Sequence, residues 1–206
     1  MSNKILFQSV CENYSDVTDI TSPPARKYAK KYGFDYQLDV KPHRFYGRHN
    51  AWNKIYKIKE LLKEKYEWIF CIDGDLLIYK FYKDIFDYVD KSKSLIMCSD
   101  GVADTLYNFN SGAMLFKNTE FSKKFIDDII NTTKEKFFYK RQWEQSVMQY
   151  HVRTNDKEFK DHIQICDSND FNHNSKWVFH PADKYDKKDK IESLKKHWRC
   201  CRGTDI

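Results

Sequence analysis

The apolar run Trp68-Ile69-Phe70-Cys71-Ile72 ends at two carboxylates, Asp73 and Asp75, with Gly74 between them. A second apolar run, Leu76-Leu77-Ile78, follows at once. The first run is short and rich in β-favouring residues, so it reads as a buried strand. Two carboxylates at the end of a buried strand cost free energy unless a positive charge sits between them. A divalent cation meets that need. Hard oxygen ligands suit magnesium or manganese, which usually carry substrate phosphates as further ligands. Gly74 fits the same picture, because a missing side chain lets phosphate approach the backbone. The alternative is a strand-end turn with solvated aspartates.

The 206 residues suffice for one domain spanning 1–206 with a sizeable core. Hydrophobic residues make up 41% and aromatics 17%, which excludes disorder despite 32% charge. The net charge of +6 comes from 36 basic and 30 acidic residues. Their signs interleave, as in Lys54-Ile55-Tyr56-Lys57-Ile58-Lys59-Glu60. That pattern describes a solvated helix face and argues against a nucleic-acid partner. The positive excess still attracts an anionic nucleotide. No signal peptide and no membrane-spanning run is visible, so a soluble, cytoplasmic protein is expected. Cys71, Cys98 and Cys166 lie in strand-like runs, and with Cys11, Cys200 and Cys201 they form no zinc pattern. They read as reduced thiols.

Residues 4–10 read as a first strand. A helix is expected from Ser22, with Pro23-Pro24 in its first turn and Gly33 as its stop. Residues 34–40 read as a strand and 41–50 as a polar loop. Asn50 is placed as the cap of a helix whose apolar positions are Ile55, Ile58, Leu61 and Leu62. Residues 83–89 read as helical, 94–98 as a strand, 99–109 as a loop and 113–116 as a strand. Helices are expected over 119–137 and 141–152, and late strands at 163–165 and 177–179. The tail from Pro181 is charged and partly helical. Strands alternating with helices predict an α/β domain with a mostly parallel central sheet.

Several blocks of this sequence resemble glycosyltransferases of the GT-A type. Residues 24–36 are similar to the early helix and second strand of yeast galactosyl- and mannosyltransferases and plant xyloglucan xylosyltransferases. Trp52-Asn53-Lys54-Ile55 resembles the start of their next helix, and residues 68–78 resemble their strand and Asp-x-Asp motif. Residues 109–116 resemble a block shared with glycogenin and the lipopolysaccharide galactosyltransferases. Trp143-Glu144-Gln145 sits where those families carry an acidic-glutamine pair, and Val178-Phe179-His180 resembles their strand ending in a metal-binding histidine. Two departures stand out. Trp143 occupies a place usually held by an acid, and Pro181-Ala182-Asp183-Lys184 lacks the usual glycine. In the absence of a membrane anchor, soluble bacterial or large-DNA-virus enzymes are the better comparison.

The resemblance implies a nucleotide-sugar fold and a donor that is a uridine-diphosphate sugar. It implies a glycan or glycoconjugate acceptor and manganese or magnesium as cofactor. Asp73, Asp75 and His180 are the expected metal ligands, with His173 and His197 as competing histidines. Asp73 could also reach the ribose. Lys184 could meet the leaving phosphate. Open α/β sheets bind ligands at strand C-termini, which brings in Gln8, Ser9 and Tyr14. Lys54 is a candidate donor contact, and Asn110, Ser111 and Gly112 are candidates for lining the sugar pocket. Glu144 and Gln145 are placed beneath the donor sugar. Asp100 or Asp104 could act as the acceptor base of an inverting reaction. Retention and inversion both stay open.

Two other readings compete. A nucleotidyltransferase also uses paired aspartates and magnesium, but residues 8–16 lack its glycine-rich loop. A non-catalytic nucleotide- or carbohydrate-binding domain would have no need of Asp73, Asp75, Glu144 and His180 together.

Overall fold

The computed structural model describes residues 2–40, 48–101, 107–132, 143–172, 175–181 and 186–201. The chain opens with β1 (Lys4–Ser9), α1 (Ser15–Tyr32) and β2 (Asp35–Asp39). Then come α2 (Asn53–Leu61), β3 (Trp68–Asp73), β4 (Leu77–Ile78), β5 (Leu95–Ser99) and β6 (Phe109–Lys117). The rest is α3 (Glu120–Ile130), α4 (Trp143–Thr154), α5 (Asp156–Phe159), β7 (Ile163–Cys166), α6 (Ser168–Phe171), β8 (Val178–Phe179) and α7 (Lys187–Cys201).

Six strands form the central sheet in the order β2-β1-β3-β6-β5-β7. β1 pairs in parallel with β2 and β3, and β5 pairs in parallel with β7. β6 runs antiparallel to both of its neighbours. The sheet is therefore mostly parallel, as the alternation of elements predicted.

Side chains alternate across a strand, and the core follows that period of two. Ile5, Phe7, Ile69 and Cys71 face a cluster with Ile55 and Ile58 of α2, Phe125 of α3 and Met148 of α4. Leu6, Phe70 and Ile72 face the other cluster, with Ala25 and Tyr28 of α1 and Trp177. The sheet is thus covered on both faces, as parallel strands require. β4 and β8 pair as a separate small sheet. Leu194 of α7 packs there against Val17 and Leu77.

Several elements differ from the sequence expectation. α1 starts at Ser15, and Pro23 and Pro24 lie inside it. Burial of Val17, Thr18 and Thr21 outweighs the backbone hydrogen bonds two prolines cannot make. Gly33 does close the helix, in the left-handed conformation. Residues 83–89 hold only a short turn at Ile85–Asp87, capped by Asp84. β6 begins at Phe109, because pairing with β5 continues that far. Helix α3 ends at Ile130, and residues 133–142 lie outside the described residues. His49, not Asn50, caps the turn before α2, its side chain accepting from the Ala51 N–H.

Phe70 is fully buried, with its ring near Phe34 and Phe171. Phe70→Ala is expected to cost about 3–5 kcal/mol. Urea unfolding should show a lower midpoint with an unchanged slope.

Candidate active site

The site follows from strand order. The chain leaves β1 for β2 on one side, while β3 lies on the other. A crevice opens beyond the carboxyl ends of strands at such a switch point. Ser9 at the end of β1 is level with Asp73 at the end of β3. β6 runs the opposite way, with Ala113 beside Ile72, so its first residues, Asn110 to Gly112, begin where β3 stops. The resulting cleft measures about 710 Å³.

A buried lysine organises the floor of this cleft. Lys54 of α2 is 3% exposed. Its Nζ lies 2.7 Å from Asp73 Oδ1 and 2.9 Å from Glu144 Oε1, and it donates to Ser111 O at 3.0 Å. Three oxygens thus satisfy the three ammonium protons. Burial alone would lower the lysine pKa, but Asp73 and Glu144 more than reverse that and hold it above its ordinary value. Glu144 moves up, because burial outweighs the pull of Lys54. Ser111 Oγ donates to Glu144 Oε1 at 2.9 Å, and Ser111 N donates to Gln145 Oε1 at 2.9 Å. Glu144 Oε2 is buried without a hydrogen-bond partner among the described residues.

Asp73, Asp75 and His180 each offer a ligand atom, all within 4.8 Å of one another. His180 Nε2 lies 3.3 Å from Asp75 Oδ1 and 4.0 Å from Asp73 Oδ2. The other ring nitrogen is fixed by a chain of amides. Gly112 N donates to Asn110 Oδ1 at 2.7 Å, so that atom is an acceptor. Asn172 Nδ2 therefore donates to Asn110 Oδ1, at 2.8 Å. This leaves Asn172 Oδ1 to accept from His180 Nδ1 at 2.8 Å. Nδ1 therefore carries a proton, and Nε2 faces the two carboxylates. Two carboxylates and an imidazole nitrogen could hold a divalent metal. Gly112 is required here. A Cβ at that position would lie 2.2 Å from His180 Cε1 and 2.8 Å from Asn110 Oδ1.

Lys190 of α7 also enters the cleft, and its ammonium contacts Asp75 Oδ2. Burial opposes its charge, but Asp75 raises its pKa overall. Asp75 is held well below the usual carboxylate range: burial pushes it up, and hydrogen bonding and charge from His180 and Lys190 overcome that.

A profile of the nucleotide-diphospho-sugar transferase family matches residues 37–205. The chain belongs to this family. It is a glycosyltransferase, and the solved structures it resembles are glycosyltransferases too. One acts in glycosylation of the major capsid of PBCV-1; the two chains are 12% identical with a TM-score of 0.72, over 93% of this chain and 99% of that one. Another is the galactosyltransferase LgtC, solved with donor and acceptor sugar analogs, at 16% identity and TM-score 0.60, over 98% and 97%. A third is GlyE of Streptococcus pneumoniae TIGR4, at 12% and 0.58, over 98% of this chain and 63% of that one. A search of curated protein sequences finds no match.

Within this glycosyltransferase the cleft gathers Ser9, Tyr14, Lys54, Asp73, Gly74, Asp75, Asn110, Ser111, Gly112, Glu144, Gln145 and His180 from the sequence expectations. Gln8 is not brought to it. The Gln8 side chain is buried, donating to Thr21 Oγ1 at 2.9 Å and Gly74 O at 3.2 Å, and so braces the Asp-x-Asp turn. Asp100 does not line the cleft either. Its backbone continues the β5–β6 edge, with N donating to Asn108 O. His197 stacks on Phe179, away from the cleft lining. Asp104, His173 and Lys184 lie outside the described residues, as do the side chains of Cys200 and Cys201. Gly74 has a reason the sequence hid: a Cβ there would come within 3.0 Å of Ser9 O and Val10 Cγ2. Close packing on β1 requires this glycine without any phosphate. Sequence reasoning missed Asn172 and Lys190, which carry no motif of their own. The amphipathic spacing of α7 was the only signal for Lys190.

Lys54→Ala leaves Glu144 buried without its cation and is expected to cost about 3–5 kcal/mol. Chemical denaturation measures it. Asn172→Leu removes the acceptor for His180 Nδ1–H and should weaken manganese affinity about 10–100-fold with little loss of melting temperature. Calorimetric titration of manganese checks this.

Proposed function

We propose that this enzyme transfers a sugar from a nucleoside-diphosphate sugar, with uridine diphosphate as carrier, to a saccharide acceptor. The observation that carries the reading is the convergence of Asp73, Asp75 and His180 within 4.8 Å at the sheet's switch point. These three residues would hold manganese or magnesium. When bound, such an ion supplies fixed positive charge where the departing diphosphate gains negative charge.

The chain's own residues account for the rest. Lys190 is a second cation in the cleft, able to turn from Asp75 to a phosphate oxygen. Lys184, expected in this role from the sequence, lies outside the described residues. Lys54 lines the cleft, where a donor can meet it, and its ammonium holds Asp73 and Glu144 in place. Glu144 Oε2, buried and unpartnered among the described residues, accepts a hydrogen bond from a donor-sugar hydroxyl. That desolvated oxygen also favours positive charge at the anomeric carbon as the bond to diphosphate stretches. Gln145 is occupied by Ser111 and holds the α4–β6 junction closed. Ser9, at the end of β1, and Tyr14, in the turn Glu12–Tyr14 that follows, take the nucleoside end.

A thermal-shift panel of uridine, guanosine and adenosine diphosphates and their sugars, with and without manganese, tests the reading. Ligand at about 100 times its Kd stabilises by about 2.7 kcal/mol. That corresponds to a rise of roughly 5–11 °C for a chain of this size. The rise should need manganese, favour uridine diphosphate and vanish in Asp75→Asn. A panel with no shift anywhere overturns the proposal. Lys190→Ala should lower kcat roughly 100–1,000-fold, the size expected for losing one leaving-group contact.

A further inference from the structure

His49 and Trp143 form a feature of the cleft that the donor chemistry does not use. Their rings stack face to face, with centroids 3.7 Å apart and planes within 3°. Both line the same cleft as Glu144 and Ser111. Trp143 has φ +32°, the one non-glycine residue with positive φ among the described residues. A bulky residue in that region is strained, and such strain persists where surrounding structure over-determines it. The strain directs successive residues to different tasks. Trp143 takes the cleft wall and packs against the core cluster behind it. Glu144 reaches Lys54 in the floor.

The other ring is held just as firmly. Arg48 donates to Ile130 O at 2.8 Å, Thr132 O at 3.0 Å and Tyr56 Oη at 3.1 Å. Its guanidinium lies 4.1 Å from the Trp52 ring centroid. On the other side, Ala51 N donates to His49 Nδ1 at 3.2 Å. Nδ1 is therefore the acceptor nitrogen, and Nε2 carries the ring proton. Burial holds the imidazole below its ordinary pKa, which keeps the ring neutral at pH 7. His49 remains exposed at the cleft. The result is a rigid flat ring, backed by an indole, with one N–H donor at its edge.

A pyranose presents a face of C–H groups and a rim of hydroxyls. A flat aromatic surface with one edge donor matches that shape and polarity. Trp143 directly precedes Glu144 in the chain, and the platform lines the same cleft as Glu144, whereas the carboxyl ends of β1 and β3 are where an open sheet receives nucleoside and diphosphate. We propose that His49 and Trp143 form the acceptor-saccharide subsite, the imidazole, backed by the indole, supplying the stacking surface and His49 Nε2–H the hydrogen bond that fixes the sugar's orientation. The assignment rests on the transferase reading above and names its acceptor class: a sugar with one face clear of axial hydroxyls.

The test uses the whole chain labelled with 15N. The indole N–H of Trp143 and the imidazole of His49 are followed by NMR. Methyl β-D-glucopyranoside, methyl β-D-galactopyranoside and methyl β-D-xylopyranoside are titrated in turn. Uridine diphosphate with manganese is titrated separately. At least one glycoside should move both resonances. His49→Asn keeps an acceptor for Ala51 N–H and removes the ring; it should weaken that glycoside at least fivefold and leave uridine diphosphate affinity within twofold. Trp143→Phe, which keeps a ring, should retain most of the glycoside response. The assignment is overturned if no glycoside moves either resonance, or if His49→Asn weakens uridine diphosphate and spares the glycoside. Failure of the transferase reading itself would be seen apart from these outcomes, as no response of the unaltered protein to uridine diphosphate and manganese.

Discussion

One ammonium group holds the cleft together. Lys54 joins α2 to the end of β3 through Asp73, to α4 through Glu144 and to the start of β6 through Ser111. Four separate pieces of chain therefore meet at a single buried charge. A buried cation without partners is costly, and a buried carboxylate is no better. Each group here is tolerated because the other is present. The consequence is geometric: Asp73 and Glu144 cannot drift, so the carboxylate pair and the cleft floor are positioned before any ligand arrives. Such preorganisation is what electrostatic catalysis requires.

The second organising device is neutral. From Gly112 N–H through Asn110 and Asn172 to His180, each hydrogen bond fixes the direction of the next. A backbone donor cannot reverse its role, so the chain of amides ends by placing one proton on His180 Nδ1. The charged triad and the amide chain meet at β6, where Ser111 serves one and Gly112 the other. Reversal of that one strand in an otherwise parallel sheet brings both to the mouth of the crevice.

Much of the fold was legible in the primary structure. The run 68–73 became a buried strand because it is short, apolar and β-branched at intervals. Gly33 stopped its helix as expected. Failures came where packing overrode local preference. Pro23 and Pro24 signalled a helix start, yet burial of Val17 and Thr21 carried α1 upstream of them. In the site, residues within a motif or just past a strand end were found, whereas Asn172 and Lys190, in neither place, were not. Asp73, Asp75, Glu144 and His180 sat in recognisable blocks and do share one cleft. Gln8 stood at the correct strand end, but it turns inward to brace Gly74, because β1 residues alternate between faces and interior contacts compete for a buried amide.

By itself the sequence determined the kind of chemistry. Apolar strands capped by carboxylates, in a chain of alternating helices and strands, demand a cation and a parallel sheet to hold it. Tertiary structure alone decided which cations and which orientations. Lys54 reads as an ordinary helical lysine until α4 and β6 close over it, and Lys190 is one of a run until α7 packs on α1. The reason is that burial and distance set the worth of a charge, and both are properties of the folded chain rather than of any stretch of it.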